Sequence, residues 1–148
     1  MEKFMNQVEN MVMCAGVVLG LTPEDVRFTV ALMPPQVGGM FEGGHGEAGV
    51  ITINFFNQLP FMQVIPMYLI VAHEMLHAKQ WFDGRLVCCY DIATREPFVM
   101  WEGEEWRDFD NTDANLPWEK EAHQKMFSVG DQMAEYAEML IAEHKSAA

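Results

Sequence analysis

Residues 67–82 read MYLIVAHEMLHAKQWF, and within them His73-Glu74-Met75-Leu76-His77 forms an HExxH sequence. Its spacing predicts a helix from about Pro66 to Phe82, closed by the glycine signal of Asp83-Gly84. On a helix, residues four apart sit about 40° from one another, so the His73 and His77 rings can point at one cation. Two neutral imidazole nitrogens on Zn²⁺ leave room for a further protein ligand and a water, whose pKa the metal lowers to about 7. Glu74 then falls beside the metal as the group that takes the water's proton. A glutamate in so apolar a helix is costly to bury without a partner or a task. Tyr68, Val71, Met75, Ala78 and Phe82 fall on the face opposite His73 as a core stripe. Leu69 and Leu76 flank the histidines as a dry wall, and Gln80, one turn beyond His77, is a candidate hydrogen-bonding group.

The missing ligand has to come from elsewhere in the chain. The extended pattern HExxHxxGxxH fails, because Gln80 and Asp83 stand at its glycine and final histidine positions. Cys14, Cys88 and Cys89 are odd in number and form no CxxC pair, so neither a thiolate zinc site nor a disulfide framework is indicated. A later helical segment, LPWEKEAHQKM at 116–126, offers carboxylates together with His123, and His144 follows further on. Pro117 suits a first helical turn, and Trp118, Ala122, Met126, Val129, Met133, Tyr136 and Leu140 mark an apolar stripe along a long terminal helix. Around that helix Glu119 lies about 50° from the centre of the stripe and Glu121 about 110°. Glu119 is therefore the favoured ligand and Glu121 the alternate. Whichever does not bind metal would act as a first-turn acid that stabilises the helix dipole.

With HEMLHAKQ at 73–80 and PWEKEA at 117–122, the chain resembles the small zincin-type, gluzincin-like metallopeptidases, in particular the phage and bacterial peptidases related in pattern to the ImmA/IrrE family. The resemblance covers these two short motifs and the helix order between them. It implies a third ligand in an ExxA(D/N) pattern, which maps onto Glu119 with Ala122. At His123 the chain departs from it, since an aspartate or asparagine is expected there to orient a ligand histidine. The resemblance also implies that an extended peptide binds along a strand edge, and VITINF at 50–55 is the strand expected to present one.

Outward from the two motifs, strand-like and helical signals alternate without internal repeats. Phe4, Val8, Met11, Ala15 and Val18 recur at spacings of three and four and predict an N-terminal helix ended by Gly20 and Thr22-Pro23. Arg27–Met33 reads as a strand stopped by Pro34-Pro35, and Val50–Phe55 as a strand running into a turn at Asn57–Pro60. Between them, residues 38–49 hold six glycines and are expected to form a flexible loop. No GxGxxG or GKS/T sequence occurs in it, which excludes a phosphate-binding loop, and His45 is expected to be an exposed loop histidine. Leu86–Tyr90 and Phe98–Trp101 read as a hairpin, with Gly103 turning the chain toward Glu105–Phe109. Its Trp101 and Trp106 are expected in the core, and Tyr90 is expected to pack rather than to serve an oxyanion.

Composition bounds the function. With 148 residues, half of them hydrophobic, the chain is expected to form one domain, 1–148, around a single core. A net charge of -13 repels phosphate backbones and anionic lipid, so neither nucleic acid nor membrane is expected as a direct partner. The apolar run Met11–Leu21 is too short to span a bilayer, and Glu2 and Glu9 give its leader the wrong charge for a signal peptide. A reducing cytoplasm is expected.

Together these readings predict an α+β, zincin-like fold: a small mixed sheet, an HExxH active-site helix and a long C-terminal helix. Zn²⁺ is expected on His73, His77 and Glu119 (alternate Glu121), with Glu74 as general base for hydrolysis of a peptide or protein substrate. Two other readings are a catalytically inactive metal-binding interaction protein, phage structural or regulatory, on the same scaffold, and a metal-free binding module with structural histidines.

Overall fold

The computed structural model describes residues 2–31, 39–42, 49–54, 66–111 and 113–147. Three helices and two small sheets make up these residues, in an α+β arrangement with a long C-terminal helix.

Helix α1, Glu2–Leu19, buries Val8, Val12, Cys14 and Ala15 and half-buries Met11 and Val18, the face set by its apolar spacing. It ends where Gly20 adopts φ 74° and the Leu21 amide donates back to the Gly16 carbonyl at 2.8 Å. The side chain of Phe4 and His45, Pro34-Pro35 and Asn57–Pro60 lie outside the described residues.

The first sheet has the order β1-β3-β2, where β1 is Val26–Ala31, β2 is Gly39–Glu42 and β3 is Gly49–Asn54. β1 and β3 run parallel and β2 antiparallel to β3, so the sheet is small and mixed as expected. Two expectations are corrected here. The segment Gly39–Glu42, read as part of a glycine-rich loop, is a strand, because Met40 and Phe41 find register partners in Thr52 and Ile51. Within the VITINF strand Val50–Ile53 are paired on both sides and so present no edge to a substrate, while Phe55 lies outside the described residues; among the described residues β2 is the antiparallel edge strand.

Helix α2, Met67–Phe82, lies against α1, α3 and the first sheet, so most of its middle is enclosed. Val71, Ala72 and Ala78 have no exposed surface and Met75 has 1 %. The core stripe is corrected at both extremes: Tyr68 is 38 % and Phe82 50 % exposed. After the turn at Asp83 and Gly84 (φ 73°), the Arg85 amide donates to the Gln80 carbonyl at 3.0 Å.

The chain then forms the expected hairpin from β4 (Leu86–Asp91) and β5 (Glu96–Trp101), and a third strand, β6 (Glu104–Trp106), extends it into an antiparallel meander. The meander packs through a second apolar cluster in which Trp101, Leu116 and Trp118 are buried among Leu86, Val99, Trp106 and Phe109. Tyr90, expected to pack, is instead 61 % exposed and takes no part in this cluster.

Helix α3, Pro117–Ala147, buries Trp118, Ala122, Met126, Val129 and Met133 along the predicted stripe. Tyr136 is half-buried, and Leu140, the last residue of the stripe, is 41 % exposed. Gly130 permits close approach of α2: a Cβ built there would stand 2.7 Å from Leu69 Cδ2 and 3.0 Å from the Tyr68 ring. Among the described residues, no helix is long and apolar enough to cross a membrane.

Candidate metal centre

Two helices remote in sequence build the site. α2 supplies His73 and His77 from adjacent turns of one face, with ring centroids 4.8 Å apart. The first turn of α3 supplies Glu119, 46 residues after His73. Trp118 holds that turn in place, with its ring 5.3 Å from Phe109, 5.6 Å from Trp106 and 6.1 Å from Trp101. Burial of an aromatic ring in such a cluster contributes roughly 1.5–3 kcal/mol, enough to fix the residue beside it.

The three predicted ligands converge. His73 Nε2 lies 3.1 Å from Glu119 Oε2, His77 Nε2 lies 3.0 Å from Glu119 Oε1, and the two Nε2 atoms are 3.2 Å apart. Two imidazole nitrogens and a carboxylate thus meet within 4.8 Å of one another, a group that could hold a metal ion. Two imidazole nitrogens and a carboxylate suit a divalent first-row metal ion, which their close spacing would admit with a small expansion. The side chains of His73 and Glu119 keep 19 % and 27 % exposure, so the group is only partly buried.

The electrostatics follow from this crowding. Burial would raise the Glu119 pKa, but hydrogen bonds with His73 and His77 and their charge hold it at about 2. Burial pulls His77 down, yet the contact with Glu119, the charges of Glu119 and Glu74 and the contact with Gln80 leave it raised overall. Glu74 is 7 % exposed, and burial pushes its carboxyl up against the opposing pull of His77 and His73.

Glu121 is not drawn into the triad. Its carboxylate takes two hydrogen bonds from Arg85, from Nη1 to Oε1 at 2.8 Å and from Nη2 to Oε2 at 2.6 Å, which with the help of Gln80 depress its pKa to about 2. Arg85 also contacts Glu102 and lies 4.8 Å over the Trp101 ring. No sequence pattern pointed to Arg85 as a site neighbour; its local signal is the Asp83-Gly84 turn that delivers it. Gln80, named from its place on the helix, is 2 % exposed and lies 2.9 Å from His77 Nδ1, 3.0 Å from the Trp118 carbonyl and 3.4 Å from Glu121 Oε1. His123, at the position where an aspartate or asparagine is expected to orient a ligand histidine, is exposed and sits edge-on to Phe127 at 6.1 Å. His144 is exposed in the last turns of α3, and the three cysteines are free.

No family model, curated protein or solved structure matches this chain.

Proposed function

We propose that the protein is a zinc-dependent peptidase of the zincin-like kind, with His73, His77 and Glu119 as the metal ligands and Glu74 as the general base. The observation that carries this reading is the approach of Glu119, on α3, to both His73 and His77 at 3.1 and 3.0 Å, with Glu74 next to His73 on α2. A bound zinc ion would supply Lewis acidity, making a water acidic near neutral pH and offsetting the charge that develops on a substrate carbonyl oxygen.

The chain's own residues account for the rest. Glu74 follows His73 directly on α2, and its burial raises the carboxyl above its ordinary value, the direction that suits a group which takes a proton from water and returns it to a leaving amine. Leu69 and Leu76, 8 % and 5 % exposed, exclude water from the buried side of the histidines. The antiparallel edge strand β2, which lies against α2, is the edge on which an extended peptide would add. A net charge of -13 favours basic peptides as substrates, and the free cysteines accord with a cytoplasmic setting.

The test is zinc content followed by activity. Purified protein should hold about one zinc per chain, the stoichiometry of a three-ligand site with one open position. Glu74→Gln should keep the metal and lose cleavage of a peptide library by about 10²–10⁴-fold. Equal cleavage by Glu74→Gln refutes the assignment of the base, and protein that stays empty when refolded with zinc refutes the metal reading.

A further inference from the structure

The side-chain amide of Gln80 is enclosed among three groups whose hydrogen-bonding character is fixed or can be deduced. The Trp118 carbonyl, 3.0 Å away, can only accept. The Glu121 carboxylate, 3.4 Å away and paired with Arg85, can also only accept. The amide NH₂ must therefore face these two, which leaves the amide oxygen 2.9 Å from His77 Nδ1. That oxygen has no proton to give, so the hydrogen between them sits on Nδ1 of the imidazole. A neutral imidazole carries one N–H, and the lone pair is then left on Nε2, the atom aimed at His73 and Glu119.

The opposite amide orientation is disfavoured on three counts. It places the oxygen against two other oxygens at 3.0 and 3.4 Å, forfeits both donated hydrogen bonds, and turns a His77 Nε2–H into the space where a metal would sit. A reversed glutamine costs the centre its donor.

We propose that Gln80 is a positioning residue of the metal centre, which holds His77 as its Nδ1–H tautomer so that Nε2 is preset as a metal donor. It rests on the metal reading proposed above. Gln80 thus fills the orienting role that the exposed His123 cannot, and from the ligand's own helix, three residues on. Glu121 gains a part as well: gripped by Arg85, it helps to hold the amide the right way round.

Metal-free protein labelled with ¹⁵N-histidine, studied above neutral pH by long-range proton–nitrogen correlation, shows which nitrogen of His77 carries the proton. The expected signature is Nδ1–H in the wild type, and in Gln80→Met a mixture with the Nε2–H form that water favours. Zinc affinity, measured by competition with a chromogenic chelator, should fall about 10–100-fold in Gln80→Met. Nε2–H in the wild-type spectrum overturns the proposal, and so does a folded Gln80→Met with unchanged tautomer and affinity. If that variant does not fold, the wild-type spectrum still decides. Wild-type protein that shows Nδ1–H but takes up no zinc overturns the metal reading and leaves the effect of Gln80 on His77 standing.

Discussion

Arg85 grips Glu121 with both terminal nitrogens, Nη1 at 2.8 Å and Nη2 at 2.6 Å from the two carboxylate oxygens. The pair explains why two glutamates a turn's half apart on α3 have separate tasks. Glu119 faces the histidines across α2, whereas Glu121 is turned toward the end of that helix, where the Asp83-Gly84 turn has just placed Arg85. Bidentate, charge-assisted hydrogen bonds are strong and directional, so Glu121 is not free to swing into the metal site.

Glu119→Ala and Glu121→Ala should therefore separate cleanly. Loss of Glu119 removes a ligand, and zinc affinity should drop by more than about 100-fold, since even groups that merely support ligands are worth 10–100-fold. Loss of Glu121 should leave affinity within about tenfold and lower stability by about 1–2 kcal/mol, because the half-buried Arg85 retains Glu102 and solvent. Chelator competition and urea denaturation check the two arms; zinc loss in Glu121→Ala alone reverses the ligand assignment.

Trp118→Ala should act on both fold and site. The side chain is 6 % exposed and central to the second apolar cluster, so its removal should cost about 3–5 kcal/mol. Its backbone carbonyl accepts from Gln80 and its neighbour is Glu119, so zinc binding should weaken in the fraction that stays folded. Trp118→Phe, which keeps a ring in the cluster, should lose less of both. Thermal denaturation with zinc titration measures them, and a destabilised variant with wild-type affinity would show that the cluster does not position Glu119.

Local period was enough to find this site, and non-local pairing is where it fell short. His73 and His77 share a face because of a spacing that is visible in the sequence, and Glu119 was preferred over Glu121 by its angle to an apolar stripe that α3 does bury. The fate of Glu121 was not legible, because it depends on Arg85, 36 residues earlier, arriving from another element. The strand at Gly39–Glu42 was hidden by glycines, whose weak strand preference is overridden by pairing with β3. The same pairing moved VITINF from an edge to the centre. Tyr68 and Phe82 obey the helical period yet remain exposed, since a period gives the direction of a side chain and not how fully its neighbours cover it.

Removal of the metal should destabilise the fold. Zinc that binds only the folded chain adds stability of RT ln(1 + [L]/Kd), about 4 kcal/mol when free zinc is a thousand times Kd. For a chain of this size that corresponds to a fall in Tm of about 10 °C on chelation. Differential scanning calorimetry with and without chelator measures the difference, and identical transitions would mean that the histidines and Glu119 hold no metal under those conditions.

The pH dependence of that difference has a definite sign. In metal-free protein the raised pKa of His77 stabilises the fold fully below the unfolded value of about 6.5, and this contribution is lost as pH rises through the folded value. Glu119, held at about 2, contributes above about 4.5, and its contribution is lost as pH falls toward 2. Metal-free protein should thus gain most from this pair between about pH 4.5 and 6.5. Metal uptake runs the other way. A proton on His77 Nε2 occupies the donor that zinc needs, so binding expels it and affinity climbs with pH until His77 is neutral. Above pH 6.5 the two forms should diverge, the metal-free protein losing stability as the gain from zinc grows, and the drop in Tm on chelation should be larger at about pH 8 than at about pH 6. Calorimetric titration in buffers of different ionisation enthalpy counts the protons released; none released near neutrality, with affinity flat in pH, would remove His77 from the metal.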